Sequence, residues 1–346
     1  MQLDCWNIQG ESFHFGRHGL GQEQTLATMP SDSLFAALVA RLARTEGSQK
    51  ATDFCKPFAD GDPPFVLSST FPFAGAVKFL PAPMLSRGGE AQGTDAKKLK
   101  RVEYVSEEIF RSLLKREPLA KFFDEKLTLQ KGKVLVGKKD FEKLPAELKK
   151  PESSIWDAEP RPRVTLDRAT SASNLFHIGQ VYFAKECGLW FAIRWVDAAP
   201  EKKKQFNDML HELAEAGFGA ERGVGMGIAK VQETGTLDLP DAHGAWVTLS
   251  RYLPKEDEVS ALGHDSTAYS IKAVGGWVDS PTNMGQRRKP VNLIEEGSVI
   301  GEKPPRDVPG QMVDVQPTYR SGSKPLGHEV YRNGFALAVG MEGGAG

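Results

Sequence analysis

Eleven residues, Gly217-Phe218-Gly219-Ala220-Glu221-Arg222-Gly223-Val224-Gly225-Met226-Gly227, include five glycines. An ordinary turn uses one or two. The flanking residues narrow what such a loop can be. Pro200 suits the first turn of a helix in which Phe206, Leu210 and Leu213 repeat at helical spacing, and that helix stops at Gly217. Ile228 to Gln232 follows as a strand. Helix, glycine loop, strand reverses the order of a dinucleotide fingerprint, and no Gly-Lys-Ser/Thr closes the loop as in a Walker motif. The dipole at a helix C-terminus repels phosphate, so an anion cradle here has to come from loop amides and Arg222. Missing Cβ atoms let a sugar–phosphate strand lie close to the main chain. The structural alternative is a helix C-cap running into a bulged strand, with glycine serving tight packing.

With 35 Gly and 22 Pro in 346 residues, the chain should be strand-rich and looped, and its length fits two modest domains. Hydrophobic residues at 40% and charged residues at 26% exclude wholesale disorder. No apolar run approaches the ~20 residues of a spanning helix, and Met1 to Asp4 lacks a signal-peptide pattern. Cys5, Cys55 and Cys187 are odd in number and far apart, which predicts a reducing cytoplasm with neither a disulfide frame nor structural zinc.

Gln2 to Ile8 reads as an opening strand, followed by a Gly/His/aromatic loop. Pro30-Ser31-Asp32-Ser33 starts a helix whose apolar stripe is Leu34, Phe35, Leu38 and Leu42. Phe65 to Phe73 is a β-type run broken by Pro72. Strand, helix, strand is the opening of a ferredoxin-like unit. Alternation in Arg163 to Arg168, a turn at Ala169 to Asn174 and a return over Leu175 to Phe183 predict a long β-hairpin. Gly188 to Val196 reads as a strand buried on both faces. Further strands are expected at 245–252, 269–278, 291–294 and 298–300. A closing hairpin is expected around Asn333-Gly334.

The net charge of −1 hides an asymmetry. Lys97 to Lys150 holds 16 Lys or Arg against 9 Asp or Glu, a local +7, so the remainder carries −8. A basic segment in an acidic body suggests one face for a polyanion and another for protein neighbours. On charge alone the favoured reading is a solvated, Lys-rich insertion with no partner, with a helix over Glu107 to Arg116 and a short strand over Lys133 to Val136. Arg287-Arg288-Lys289 suits a phosphate contact or a patch for an acidic neighbour. The Pro-rich stretch from Lys303 to Pro317 suits a scaffold in a larger assembly.

A glycine-rich loop after the second helix of a ferredoxin-like unit resembles the signature of the RAMP superfamily of CRISPR proteins. Three segments agree with one branch: Pro30-Ser31-Asp32-Ser33-Leu34-Phe35-Ala36-Ala37-Leu38, Val164-Thr165-Leu166-Asp167-Arg168 with Leu175-Phe176, and Val330-Tyr331-Arg332-Asn333-Gly334-Phe335. From Leu3 to Val339 the chain looks like the subunit of the type III-A (Csm) effector complex that holds the 5′ handle of the CRISPR RNA (crRNA). Lys97 to Lys150 matches no signature.

The resemblance implies an α+β protein with two ferredoxin-like (RRM-like) RAMP domains, a basic insertion and a β-hairpin thumb. The first domain would span 1–196, with the insertion near 85–160, the hairpin at 161–183, and 188–232 completing it. The second, smaller and degenerate, would span 233–346. It implies a non-catalytic capping subunit without a cofactor or metal. Its partners would be the crRNA 5′ handle, the large polymerase-like subunit and the backbone RAMP subunit, with target RNA met only indirectly and no membrane. Gly217, Phe218, Gly219, Arg222, Gly223, Gly225, Met226 and Gly227 would line the handle. His14, Gly16 and Arg17 would add a second contact, with Ser31 and Asp32 holding that loop to the first helix. On the thumb, Arg163 and Arg168 would meet phosphate and Phe176 or Tyr182 would stack on a base, the equal alternative for these two, which share a face, being core packing; Arg287 and Arg288 complete the set. Two alternatives stand beside this. One is a metal-independent CRISPR-repeat endoribonuclease using His14 and His18; the other is the equivalent subunit of a type III-B complex.

Overall fold

The computed structural model describes residues 1–16, 24–84, 94–150, 153–166, 173–278, 286–319, 326 and 328–342. The chain opens with β1 (Gln2–Gly10), the short pair β2 (Phe15–Gly16) and β3 (Thr25–Leu26), helices α1 (Ser31–Thr45) and α2 (Ser48–Ala59), and strands β4 (Phe65–Leu67), β5 (Phe71–Ala74) and β6 (Val77–Pro81). Next come α3 (Thr94–Lys100), β7 (Tyr104–Ser106), α4 (Glu107–Leu114), β8 (Thr128–Leu129), β9 (Val134–Leu135) and α5 (Lys138–Glu142). The hairpin β10 (Trp156–Leu166) and β11 (Ser173–Phe183) leads into β12 (Cys187–Trp195), α6 (Pro200–Ala216) and β13 (Ala229–Asp238).

Nine strands form the main sheet, in the order β13-β1-β12-β5-β6-β7-β9-β8, with β4 also paired to β12. β12 sits between β1 and β4/β5, and Cys187 to Ile193 are buried without interruption, as their apolar run predicts. Leu34, Phe35, Leu38 and Leu42 of α1 share one core with Phe206, Leu210 and Leu213 of α6 and with Leu3 and Ile8 of β1. The break in the 65–73 run falls at 68–70, not at Pro72, which lies within β5 opposite Leu189.

The basic segment is not a solvated appendage. β7 pairs with β6, β9 runs parallel to β7 and β8 closes the edge, so the segment extends the main sheet. Val105, Ile109, Phe110, Leu113 and Leu135 lie in the same core cluster as Leu3 and Trp190. Several surface lysines face acids of their own segment, including Lys133–Glu103 at 2.8 Å and Lys143–Asp140 at 2.9 Å.

After β13 the architecture changes. β14 (Trp246–Thr248), β15 (Ile271–Val274), β16 (Val291–Ile294), β17 (Val299–Ile300), β18 (Met312–Asp314), β19 (Tyr331–Asn333) and β20 (Ala338–Gly340) make a three-stranded sheet, β17-β14-β20, and the pairs β15–β16 and β18–β19. Among the described residues, no α-helix follows α6. A division at 232/233 would cut β13, which continues to Asp238 in the main sheet. The Asn333-Gly334 hairpin does not form: β19 pairs with β18, and β20 pairs with β14. Asn333 Oδ1 instead accepts the Phe335 amide at 3.0 Å, an Asx-type turn that sends the chain to another sheet. Among the described residues, no helix is long and apolar enough to cross a membrane.

The C-terminal part is fastened to the start of α1. Asp32 is fully buried and takes a hydrogen bond from Arg332 Nη1 at 2.5 Å, while Arg251 Nη1 stands 3.7 Å from its other oxygen. Arg251 also faces Glu296 at 3.8 Å, and Glu296 accepts the Ser69 hydroxyl. Ser31 Oγ accepts the Arg251 amide at 2.9 Å, and the Ser31 amide donates to Ser69 Oγ at 2.8 Å. Desolvation raises the Glu296 carboxyl above its ordinary range against the opposing pull of Arg251.

Arg332→Met leaves the Asp32 carboxylate buried beside Arg251 alone, and it should lower unfolding stability in a denaturant titration by about 3–5 kcal/mol. Burial pushes the Cys5 thiol up to about 11 and the Cys55 and Cys187 thiols up to about 12. A thiol reagent at pH 8 should therefore find essentially no thiolate in the native protein and titrate all 3 cysteines only once the chain is unfolded.

Candidate nucleic-acid interface

The glycine loop contains two kinds of position. Gly217, Gly219, Gly225 and Gly227 have φ of 98°, 85°, 85° and 81°, a region that side chains rarely enter. At Gly217, Gly219 and Gly227 there is also no space: a Cβ would run into the carbonyl oxygens of Met226, His14 and Phe218 respectively. Main-chain bonds fix these approaches. The Phe218 amide donates to Gly227 at 2.8 Å, the Gly227 amide to Ser12 at 2.8 Å and the Ala220 amide to His14 at 2.9 Å. Phe218 and Met226 are 1% and 2% exposed. Their expected place along a bound strand is corrected: they plug the core and anchor the loop, because their neighbours' tight angles turn them inward. Gly223 and Gly225 differ, being exposed with nothing within 4 Å of a Cβ.

The first loop is sewn to this one. His14 is buried, bridges to Gly219, and its Nδ1 donates to the Gly179 carbonyl at 2.6 Å. Phe13 exchanges backbone bonds with Val181 at 2.9 Å in both directions. Gly16 is exposed on β2, which β3 holds through Phe15–Leu26 pairing and the Thr25 hydroxyl. Contrary to the expectation from the sequence, no hydrogen bond among the described residues joins Ser31 or Asp32 to this loop; they clasp Arg251 and Arg332. Arg17 and His18 lie outside the described residues.

Between these loops and the C-terminal part runs a groove of about 380 Å³. Its floor is the face of α1 opposite the core: Ser33, Ala36, Ala37 and Ala40, at the i, i+3, i+4, i+7 spacing of one helical stripe. One wall carries Gly16, Gly219, Ala220 and Arg222, and the other Arg251, Lys272 and Arg288. Four cations face one acid, Glu295, whose Oε2 accepts the Ser270 hydroxyl at 2.7 Å. Arg251 is held by Asp32 and Glu296, and with Arg222, Lys272 and Arg288 it gives the groove's lining an excess of positive charge. Small residues on the floor admit a bulky, flat ligand, and cations on both walls suit a phosphate chain. Sequence reading found Gly16, Gly219, Arg222 and Arg288 but missed Lys272 and the small face of α1.

Of the remaining predicted residues, those described do not line the groove. Arg163 and Phe176 are cross-strand partners on the β10–β11 hairpin, both half-buried. Farther along, Val164, Leu166 and Leu175 are 58%, 67% and 61% exposed, so the outer hairpin offers apolar side chains to solvent. Tyr182 lies under the Arg161 guanidinium at 5.1 Å. Arg168 is outside the described residues. Arg287 packs 4.7 Å from the ring of Trp277, itself 58% exposed and unnoticed as a contact from sequence.

Comparison with known proteins meets this geometry at several levels. Residues 241–341 match the family model of the CRISPR Csm4 C-terminal domain. A "CRISPR system Cms protein Csm4" of Thermococcus onnurineus (strain NA1) is 22% identical over 325 residues, covering 90% of this chain and 91% of the relative. The protein of the same name from Mycobacterium tuberculosis (strain CDC 1551 / Oshkosh) is 24% identical over 329 residues, covering 90% and 93%. The chain is thus similar to Csm4 proteins along nine-tenths of its length, and residues 241–341 carry the match to a Csm4 C-terminal domain. Its fold is similar to that of a chain in the crystal structure of the Csm3–Csm4 subcomplex of the type III-A CRISPR-Cas interference complex, with a TM-score of 0.64, 17% identity and coverage of 99% and 100%. It is also similar to a chain in the crystal structure of a Csm1–Csm4 cassette in complex with cA4, with a TM-score of 0.55, 19% identity and full coverage of both chains.

The Csm4-type match begins at 241, just after β13, and includes Arg251, Lys272 and Arg288, so the family domain supplies one entire wall of the groove. The two glycine classes should separate in a thermal melt. Gly219→Ala forces a side chain into a left-handed position against a carbonyl and should cost about 1–3 kcal/mol or more; Gly223→Ala should leave the melting temperature unchanged.

Proposed function

We propose that this chain is the subunit of a type III-A CRISPR effector complex that grips the 5′ handle of the CRISPR RNA. In this reading it caps the complex and bridges the large polymerase-like subunit and the backbone RAMP subunit. The observation that carries the reading is the groove itself. It unites the rim of the glycine loop, Gly16 and the small face of α1 with Arg222, Lys272 and Arg288. A single strand laid there meets cations on both sides and a floor without large side chains. Relatives in this family occur in Csm3–Csm4 and Csm1–Csm4 structures, which supports the bridging role.

The strand order supports reading the first part as a ferredoxin-like unit. β13-β1-β12-β4/β5, with α1 after β1 and α6 after β12, follows the 4-1-3-2 arrangement of a split β-α-β. The β10–β11 hairpin is then the thumb, inserted before β12, with Arg163, Arg168 and Phe176 beside the RNA. Arg287, stacked on the exposed Trp277, extends the positive side. After 240 the unit is degenerate, since no α-helix remains among the described residues to cover its strands.

The role is binding rather than cleavage. His14 is buried and its Nδ1 is committed to the Gly179 carbonyl, which suits an anchor for the two loops better than a general base that must reach a 2′-hydroxyl.

The test is handle retention by the assembled complex. Arg222→Ala, Lys272→Ala and Arg288→Ala together should weaken retention at least tenfold. They should also flatten the slope of log affinity against log salt by about 2, as expected for three lost single-strand phosphate contacts. An unchanged slope would overturn the groove assignment. Repeat RNA incubated with the wild-type complex should stay intact; specific cleavage lost in His14→Ala would replace this reading with a nuclease.

A further inference from the structure

We propose that the 94–150 segment carries a second binding site, for a single-stranded polynucleotide, independent of the groove. Its cavity of about 620 Å³ shares no lining residue with the groove, and β8, which lines it, forms the sheet edge opposite β13. Six Lys or Arg and a single acid, Glu125, line it. Two of those cations are occupied, Lys98 by Glu125 and Lys149 by the Glu142 carbonyl. Arg101, Lys126, Lys131 and Lys150 are exposed and enter no ion pair among the described residues. Uncommitted cations converging on one concavity raise the local potential and attract a polyanion.

The cavity also has an aromatic component. Phe123 and Phe141 line it half-buried, along with the cations. Cations together with ring faces are what a single strand uses: phosphates meet the charges and an unstacked base meets a ring. An acidic peptide would use the charges alone and leave both rings wet. A duplex, with its bases stacked inside, would likewise leave the rings unused.

The rim is built to hold one of these cations in place. Gln130, Lys131 and Gly132 take φ of 53°, 54° and 84° in succession, a left-handed run that non-glycine residues seldom adopt. It persists because Gln130 is bound on three sides. Its amide donates to Ser153 at 3.1 Å, its Nε2 to the Trp156 carbonyl at 2.7 Å, and its Oε1 accepts the Ile155 amide at 2.9 Å. The turn joins antiparallel β8 to β9 and thereby holds Lys131 beside the cavity.

The experiment uses the assembled effector complex with its CRISPR RNA bound, probed with fluorescent U- and A-tract RNA and T-tract DNA that do not pair with the guide. The wild type should bind at least one probe, and 4-thiouridine in the RNA probes should crosslink to the 94–150 segment. Lys126→Glu with Lys131→Glu, two exposed unpaired positions, should weaken probe binding at least tenfold while handle retention stays unchanged; the Arg222, Lys272, Arg288 variant should do the reverse. RNA and DNA probes binding equally would assign recognition to bases and phosphates; RNA alone binding would add the 2′-hydroxyl. Either result sustains the site. Probe binding unaffected by the double reversal, or a wild type that binds none of the probes but does bind fluorescent polyglutamate, would overturn it.

Discussion

A carboxylate sealed inside the protein at the first turn of α1 sets the relation between its two parts. Asp32 has no exposed side-chain surface, and its charge is met by Arg332 from β19 and, at longer range, by Arg251 from the chain after β14. A buried ion pair adds little net stability over an apolar contact but is costly to break, so it selects one docking geometry among many. The amide–hydroxyl bonds of Ser31, Ser69 and Arg251 reinforce that choice. The groove exists because of it: its floor belongs to the helix that carries Asp32, and one wall belongs to the part that carries Arg251 and Arg332.

The glycine loop illustrates how one motif can serve two ends. Gly217, Gly219 and Gly227 let the loop close upon itself and upon the 12–14 segment, with Phe218 and Met226 as buried pins. Only then does the outer rim, with Arg222, Gly223 and Gly225, stand free of the core. Architecture and ligand surface are therefore not rival explanations of the five glycines; the inner ones position the outer ones.

Much of the first part was legible because its signals are local. The stripes of α1 and α6, the alternation of β10–β11 and the unbroken apolar run of β12 each lie within one element and report its burial directly. α2 escaped notice, since Pro57 and a polar first turn blur its periodicity. Asn333-Gly334 misled because an Asx-type bond and pairing with β18 outweighed the local turn preference. The pairing of Asp32 with Arg332 left no trace to read, as its members stand 300 positions apart. The same holds for the groove: Arg222, Lys272 and Arg288 are neighbours only after the second part has docked. Charge counting misjudged the basic segment because lysines on its surface mask a core of Val105, Ile109, Phe110 and Leu113.

That segment's three strands continue the sheet beyond β6. Excising it would strip β6 of its neighbour, leaving unsatisfied amides and carbonyls beside freshly uncovered apolar residues, a template for intermolecular strand addition. Natural variation can therefore remodel the segment's outline and surface charge, yet losing it whole would require a substitute strand to seal the sheet.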